Sequence, residues 1–160
     1  MGVRLLMADR IEKRLAELGY TLHGPHPPHH PLVAVVVHGG VARTSGQLPR
    51  IEGQLTCTGR LGDTVTVEEA SRASAVCALN ALAVLREELG SLDRIERVLT
   101  VLGFAAVAPG TQMEPAALDG ASRLLFEVFG EAGRHTRSAI GVASLPRGGT
   151  VELEVAVAVR

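Results

Sequence analysis

The sequence has 160 residues, with 16 lysines and arginines against 17 aspartates and glutamates, which gives a formal net charge of -1 at pH 7. This balance excludes the basic surface typical of nucleic-acid binding, and an aromatic content of 2% leaves few rings on which bases could stack. No uncharged run is long enough to cross a bilayer, and no signal-peptide pattern precedes the first charges. We therefore expect one domain over residues 1–160, in the cytoplasm, with no membrane or nucleic-acid partner.

The first thirty residues predict a helix followed by a loop. Residues 7–18 carry apolar side chains at helical spacing, and Gly19 is a typical stop. Prolines then exclude regular structure over residues 21–31. Four histidines fall in this loop and either bind a metal or are simply exposed: His23, His26, His29 and His30. Because proline prevents a fixed ligand geometry, we favour the exposed loop and expect no metal and no cofactor.

Three strands and a long helix follow in the sequence. Residues 32–37, 41–48 and 54–59 are rich in β-branched or alternating residues with turn signals between them, which predicts an antiparallel meander. Residues 67–89 then show an alanine-rich apolar stripe that favours a helix packed closely on a sheet. Thr66 or Thr64 is expected to cap this helix, and Gly90 ends it.

The second half of the sequence predicts one more buried strand, another helix and a closing hairpin. Residues 95–107 form a continuous apolar, β-branched run, and residues 115–129 have helical periodicity. Residues 138–145 and 151–159 predict two strands joined by a Pro/Gly turn. This hairpin is expected to bring Arg137 close to Glu152 and Glu154.

The element order predicts an α+β fold with a mixed sheet and two long helices on one face. The strands are too apolar for the other face to be solvated, so we expect subunits to associate through it as a homo-oligomer. Cys57 and Cys77 are expected to be buried, reduced thiols, since no CxxC or zinc-ligand spacing is present.

Two motifs resemble signatures of a known family. The segment Arg-Thr-Ser-Gly-Gln-Leu-Pro at residues 43–49 resembles the S-G-Q-[IL]-P signature of the YjgF-type Rid family, the reactive intermediate (enamine/imine) deaminases. Arg-Ser at residues 137–138, Leu-Pro at 145–146 and Val-Glu-Leu-Glu at 151–154 resemble its second signature, with no gap between the arginine and the first glutamate. The resemblance covers residues 31–160, and residues 1–30 resemble the longer N-terminus of a divergent subgroup.

The resemblance implies a chorismate-mutase-like fold and a homotrimer whose sheets line a central barrel. It also implies three metal-free clefts between subunits, each holding a small carboxylate ligand. The family arginine that grips the carboxylate falls on Arg137, and the glutamate associated with the hydrolytic water falls on Glu152. The family asparagine falls on either Asp119 or Ser122, and Gly141 stands where many members have glutamate. The other implied ligand-binding positions are Ser45, Gly46, Ala139 and Leu32.

These residues favour hydrolytic deamination of small 2-imino or enamine carboxylates. A guanidinium binds a carboxylate with two parallel hydrogen bonds, which suits Arg137. Glu152 is expected to stay ionised beside an arginine and to orient water or accept a proton. The alternative is a non-catalytic binder of small carboxylates or 2-oxo acids. A ribonuclease, a third activity ascribed to the family, is disfavoured by the near-neutral charge.

Overall fold

The computed structural model describes residues 10–160 and contains three helices and seven strands in that range. The helices are α1 (Arg10–Glu17), α2 (Val67–Leu89) and α3 (Glu114–Phe129). The strands are β1 (Val35–His38), β2 (Val41–Thr44), β3 (Arg50–Ile51), β4 (Gln54–Leu55), β5 (Ile95–Ala106), β6 (Thr136–Val142) and β7 (Val151–Val159). Residues 7–9 of the predicted first helix lie outside the described range.

The main sheet is mixed and has the strand order β1-β2-β7-β5-β6. Neighbouring strands are antiparallel except β5 and β6, which are parallel and are joined through α3. This β-α-β connection requires a helix on one face, as parallel neighbours generally do. The predicted α+β fold with a mixed sheet is therefore confirmed.

Helix α2 forms where the sequence predicts it because its ends are closed by local chemistry. The Thr66 side chain accepts a hydrogen bond from the Glu69 backbone, and the Glu69 carboxylate accepts one from the Thr66 backbone at 2.8 Å. This reciprocal capping box satisfies two amide groups that would otherwise lack partners. Gly90 ends the helix in the left-handed conformation, with φ 78°.

The core lies between the helices and one face of the sheet. Alanines on α2 that are at most 3% exposed let the helices approach closely, and Gly120 of α3 packs on Ser71 so tightly that a Cβ would come within 2.8 Å of the Ser71 carbonyl carbon. Helix α1 joins this layer because Asp93 accepts hydrogen bonds from the backbone amides of Arg10 and Ile11 at 2.9 and 3.0 Å.

No helix in residues 10–160 is long and apolar enough to span a membrane.

The predicted closing hairpin is wrong. Strand β5 lies between β6 and β7, so that Val101 pairs with Arg137 on one side and with Val155 on the other. The crossover through α3 places β6 beside β5, and residues 143–150 then cross to the far side of β5. That step covers two strand spacings, about 10 Å, which an eight-residue connection spans but a tight turn does not.

The predicted meander is also only partly correct. Strands β1 and β2 pair as an antiparallel hairpin, but β2 ends at Thr44 and its other neighbour is β7. Residues 54–59 contribute only β4, which pairs with β3 in a separate two-stranded ribbon. Beyond Thr44 the pairing with β7 continues only as the isolated bridge between Gln47 and Leu153, and Pro49, which lacks an amide hydrogen, cannot extend it.

The sheet face opposite the helices, called here the open face, is apolar without being covered by the chain itself. Val36 is 57% exposed and Ile140 is 43% exposed on this face, and the Arg43 guanidinium pairs with the Glu154 carboxylate across it at 3.0 Å. Its large apolar side chains come from four strands: Val36, Val41, Leu102, Phe104 and Ile140.

Candidate functional site

Four of the predicted site residues line one cavity of about 620 Å³. Leu32 is 65% exposed at its edge, Ser45 and Gly46 form one wall, and Glu152 projects into it from β7. The loop over residues 24–29 lies on the same cavity and closes part of it. Most of this histidine-rich loop is exposed, as predicted, and it borders the predicted ligand-binding segment.

Two strand-like hydrogen bonds hold the Ser-Gly-Gln segment against the sheet. The Ser45 amide donates to the Ala34 carbonyl at 2.8 Å, and the Gln47 amide donates to the Leu153 carbonyl at 2.8 Å. The Gln47 side-chain amide also donates to the Ser45 hydroxyl oxygen at 3.3 Å. Because that oxygen already accepts a hydrogen bond, the Ser45 hydroxyl hydrogen is left to donate to a ligand.

Glu152 lies at the sheet side of the cavity and is partly buried. Burial raises the pKa of its carboxyl, the neighbouring Glu154 raises it further, and Arg50 opposes both. Within one chain, the predicted hairpin does not place Arg137 beside Glu152, and the arginine that acts on this carboxyl is Arg50. A carboxyl with a raised pKa exchanges a proton with a substrate more readily near neutral pH.

Arg50 and Arg147 also line this cavity, although the sequence did not single them out. The Asn80 side chain of α2 donates to the carbonyl oxygens of Leu48 and Arg50, both at 2.9 Å, and so fixes the start of β3. Arg147 lies in the turn before β7 with φ 56°, a left-handed conformation that is uncommon outside glycine. Arg50 directly follows the Ser-Gly-Gln-Leu-Pro motif, which is the one local signal that could have indicated it.

Arg137 lies at a different place, on β6 facing α3. Its guanidinium donates to the Asp119 carboxylate at 3.0 Å, to the Ser122 hydroxyl at 3.1 Å and to the Pro115 carbonyl at 3.2 Å. Both candidates for the family asparagine therefore contact Arg137. Ala139 lies two residues further along β6 on the same side, half-buried.

A serine and a histidine meet beside Arg137. The Ser122 hydroxyl lies 2.9 Å from His135 Nε2, and His135 Nδ1 lies 2.7 Å from the Gly133 carbonyl oxygen. Because a carbonyl only accepts, Nδ1 carries the hydrogen, and a neutral ring accepts a hydrogen bond from the Ser122 hydroxyl at Nε2. His135 was not singled out from the sequence, because a lone histidine in a loop is usually on the surface.

The space beside Gly141 is filled by the carboxylate of Glu114. A Cβ at Gly141 would come within 2.5 Å of Glu114 Oε1 and 3.3 Å of Glu114 Cδ. The side chain at the start of α3 therefore occupies the position beside β6 where a longer residue at 141 would project. The acidic group near this part of β6 comes from the helix.

Within one chain, Arg137 and Glu152 are not brought together. Arg137 is paired with Val101, which faces the helices, whereas Glu152 is paired with Phe104, which lies on the open face. Adjacent paired residues share a face of a sheet, so the two functional side chains project to opposite sides. Arg137 lines a separate shallow cavity of about 410 Å³ with Asp119, Ser122 and His135.

Metal-ligating and thiol groups do not form clusters in the part of the chain that the structure describes. No group of three or more His, Cys, Asp or Glu side chains there is arranged to hold a metal ion. Cys57 and Cys77 are free thiols, and burial raises the pKa of Cys77. The Cys77 side chain of α2 is fully buried in the core. Cys57 is half-buried and does not belong to a strand.

Comparison with known proteins places this geometry in a family. The model of the YjgF/chorismate mutase-like endoribonuclease family matches residues 29–151. Protein TCP17 of Trypanosoma cruzi is 36% identical over 154 residues, which cover 96% of each chain.

Two crystal structures are similar over nearly their whole length. A protein of unknown function from Agrobacterium tumefaciens is 41% identical, with a TM-score of 0.88 over 96% of this chain and 95% of that one. A candidate endoribonuclease from Shewanella oneidensis is 34% identical, with a TM-score of 0.90 over 93% of this chain and 99% of that one. Such coverage includes most of the segment before residue 29, so these relatives share the N-terminal region that the family model leaves out. The chain belongs to the YjgF/chorismate mutase-like endoribonuclease family.

Proposed function

We propose that this protein is a metal-free deaminase that hydrolyses small 2-imino or enamine carboxylates in a cleft between two subunits. Arg137 of one subunit binds the substrate carboxylate, and Glu152 of its neighbour orients the water. Ser45 and Gly46 contact the ligand beside Glu152, Leu32 lies at the rim, and the backbone of Ala139 lines the cleft beside Arg137. Family membership supports the class of reaction.

The observation that carries the proposal is the placement of Arg137 and Glu152 on opposite faces of the same sheet. A site that uses both residues cannot form inside one chain, because β5 lies between their strands. A second copy that seats the β6 edge against the open face of the first would bring them together. The exposed apolar side chains of that face are suited to burial in such a contact.

The reaction needs three tasks, and the proposed site supplies a group for each. The Arg137 guanidinium, with its remaining N–H donors, fixes the carboxylate. Glu152 accepts a proton from water as the oxygen adds to the carbon of the protonated imine, which breaks the C=N π bond and forms a neutral carbinolamine. Return of that proton to nitrogen makes ammonia the leaving group. The C–N bond then breaks as Glu152 takes the hydroxyl proton, which leaves the 2-oxo acid and requires no metal or redox cofactor.

The test is direct assay of imine hydrolysis. 2-Iminobutyrate is generated in situ, and 2-oxobutyrate release is followed with the wild-type protein, Arg137→Ala and Glu152→Gln. We expect acceleration by the wild type and a loss of about 100-fold or more in each variant, as for a removed catalytic group. Arg60→Ala is the matched control, because Arg60 is an exposed arginine outside this cavity and pairs with Asp63.

Two outcomes would replace this function. Wild-type protein that binds 2-oxobutyrate without accelerating imine hydrolysis would be a carboxylate-binding protein instead. Protein that cleaves RNA in an Arg137-dependent manner, with no effect on imines, would support the nuclease activity named in the family description.

A further inference from the structure

The cavity that contains Glu152 is also lined by basic side chains. Arg50 and Arg147 lie there, with His26 and His29 of the loop beside them. Neither guanidinium forms an ion pair with a carboxylate of residues 10–160, although six other arginines do. The two cations in this cavity are therefore left without the acidic partners that arginines elsewhere in the chain have.

Arg50 has a hydrogen-bond donor that the chain does not satisfy. Over residues 10–160, Arg50 Nε is the one buried side-chain nitrogen or oxygen without a hydrogen-bond partner. Buried polar groups in folded proteins almost always have partners, so the Arg50 guanidinium is held beside the cavity without its full set of acceptors. Asn80 holds the backbone of Arg50 in place, so the position of this donor is set by α2.

The directions in which the pKa values of His26 and Arg50 shift indicate a positive region around Arg50 and Arg147. Burial lowers the pKa of His26, and Arg50, Arg147 and His29 lower it further. Burial and Arg147 likewise lower the pKa of Arg50, and only Glu152 acts in the opposite direction. An anion bound here would relieve the repulsion between the two guanidinium groups.

We propose that Arg50 and Arg147 bind a second carboxylate of the substrate, which makes the preferred ligands dicarboxylic 2-imino acids and their 2-oxo products. The inference rests on the proposed function, in which Arg137 of a neighbouring subunit holds the first carboxylate. Two guanidinium groups and the Glu152 carboxylate leave one positive charge, which a single carboxylate neutralises. A dianionic phosphate ester would leave an excess negative charge. Glu52 also lines the cavity, but it is exposed, so solvent screens its charge.

The test compares the affinities of two stable product-like ligands for the full-length protein by calorimetry. We expect the wild type to bind 2-oxoglutarate at least ten times more tightly than 2-oxobutyrate, and Arg50→Leu to bring this ratio close to one. Arg147→Asn, which keeps a residue tolerant of the left-handed turn, is expected to lower the ratio several-fold. Arg60→Leu is the control, because Arg60 is an exposed arginine outside the cavity, paired with Asp63.

Each other outcome overturns the inference. Equal wild-type affinity for both ligands would exclude a second-carboxylate site, and equal weakening of both by Arg50→Leu would assign Arg50 to the first carboxylate. Competition by inorganic phosphate that depends on Arg50 and exceeds that of 2-oxoglutarate would make this a phosphate site. If Arg50→Leu does not fold, Arg50→Lys, which keeps the charge without the planar fork, replaces it.

These binding measurements are independent of turnover. A wild-type preference for 2-oxoglutarate without any imine hydrolysis would refute the deaminase and leave the second-carboxylate site in place. Rapid hydrolysis of 2-iminobutyrate without a preference for dicarboxylates would do the reverse.

Discussion

Gly46 and the side chain of Glu152 lie in direct contact, with no space for a methyl group between them. A Cβ on Gly46 would come within 2.9 Å of Glu152 Cδ and 3.3 Å of Glu152 Cγ. The backbone of the Ser-Gly-Gln segment therefore forms the surface on which the carboxylate rests. The position of the proposed water-orienting group depends on the absence of a side chain at Gly46, in the segment that runs directly beside β7.

Gly46→Ala is expected to displace that carboxylate and to lower kcat by about 100-fold, since misplacement of a reacting group by about 1 Å has that effect. Steady-state kinetics with 2-iminobutyrate measures the loss. Gly24→Ala is the matched control, because Gly24 lines the same cavity but a Cβ there meets nothing within 4 Å. Equal activity of Gly46→Ala and wild type would show that Glu152 is not positioned by this contact.

Mixing two inactive variants tests whether the site is shared between subunits. Arg137→Ala and Glu152→Gln are each expected to be inactive, but a mixed oligomer contains interfaces that combine an intact arginine with an intact glutamate. Random assortment of equal amounts should restore about a quarter of the wild-type activity per site in a cyclic oligomer. The two proteins are mixed under mild denaturant and refolded together, and each is refolded alone as the control. No recovery in the mixture would contradict an intersubunit site.

The pH dependence of the reaction is expected to report on Glu152. The proposed base must be ionised, so kcat/KM falls as the pH drops below its pKa, and burial together with Glu154 places this acid limb above the usual range of a glutamate. Arg50 lowers the pKa of Glu152, so removal of its charge in Arg50→Leu should raise that pKa and shift the limb to higher pH. A limb that stays in place or moves to lower pH would contradict the electrostatic link, and Arg60→Leu controls for general loss of charge.

Asn80 is expected to stabilise the fold through the cavity wall. Its side-chain amide satisfies the carbonyl oxygens of Leu48 and Arg50 from a position that is only 9% exposed. Asn80→Ala leaves two carbonyls without this donor, and we expect the free energy of unfolding to fall by about 2 kcal/mol. Urea denaturation measures this free energy. Gln54→Ala is the control, because Gln54 is an exposed residue of β4, which pairs with the β3 strand that Asn80 holds. A change below about 0.5 kcal/mol would mean that water replaces the amide.

The helices were predicted closely because their ends depend on neighbouring residues. Thr66, Glu69 and Gly90 define α2 within a few positions of the chain, and the structure places the helix over the predicted residues 67–89. Strand partners are different, since pairing joins residues far apart in sequence. The alternation of residues 151–159 predicted a strand correctly, but nothing local indicates that its neighbours are β2 and β5 instead of β6.

The candidate site was predicted to the extent that its residues lie in recognisable motifs. Ser45, Gly46 and Glu152 meet in one cavity, although the motifs that contain them lie at opposite ends of the sequence. Arg50 and Arg147 were missed because an arginine in a turn is usually exposed and unremarkable. Only the fold of α2 and of the histidine-rich loop shows that both line the same cavity.

The central position of β7 governs the order in which the chain can fold. This last strand of the sequence lies between β2 and β5, so the two halves of the sheet share no strand pairing until it is inserted. Before β7 is synthesised, β2 and β5 therefore each lack a strand partner on the side that β7 later fills. Pairing of β7 with β2 joins residues more than a hundred positions apart in the sequence. This predicts slow folding and a need to protect the unpaired strands during synthesis.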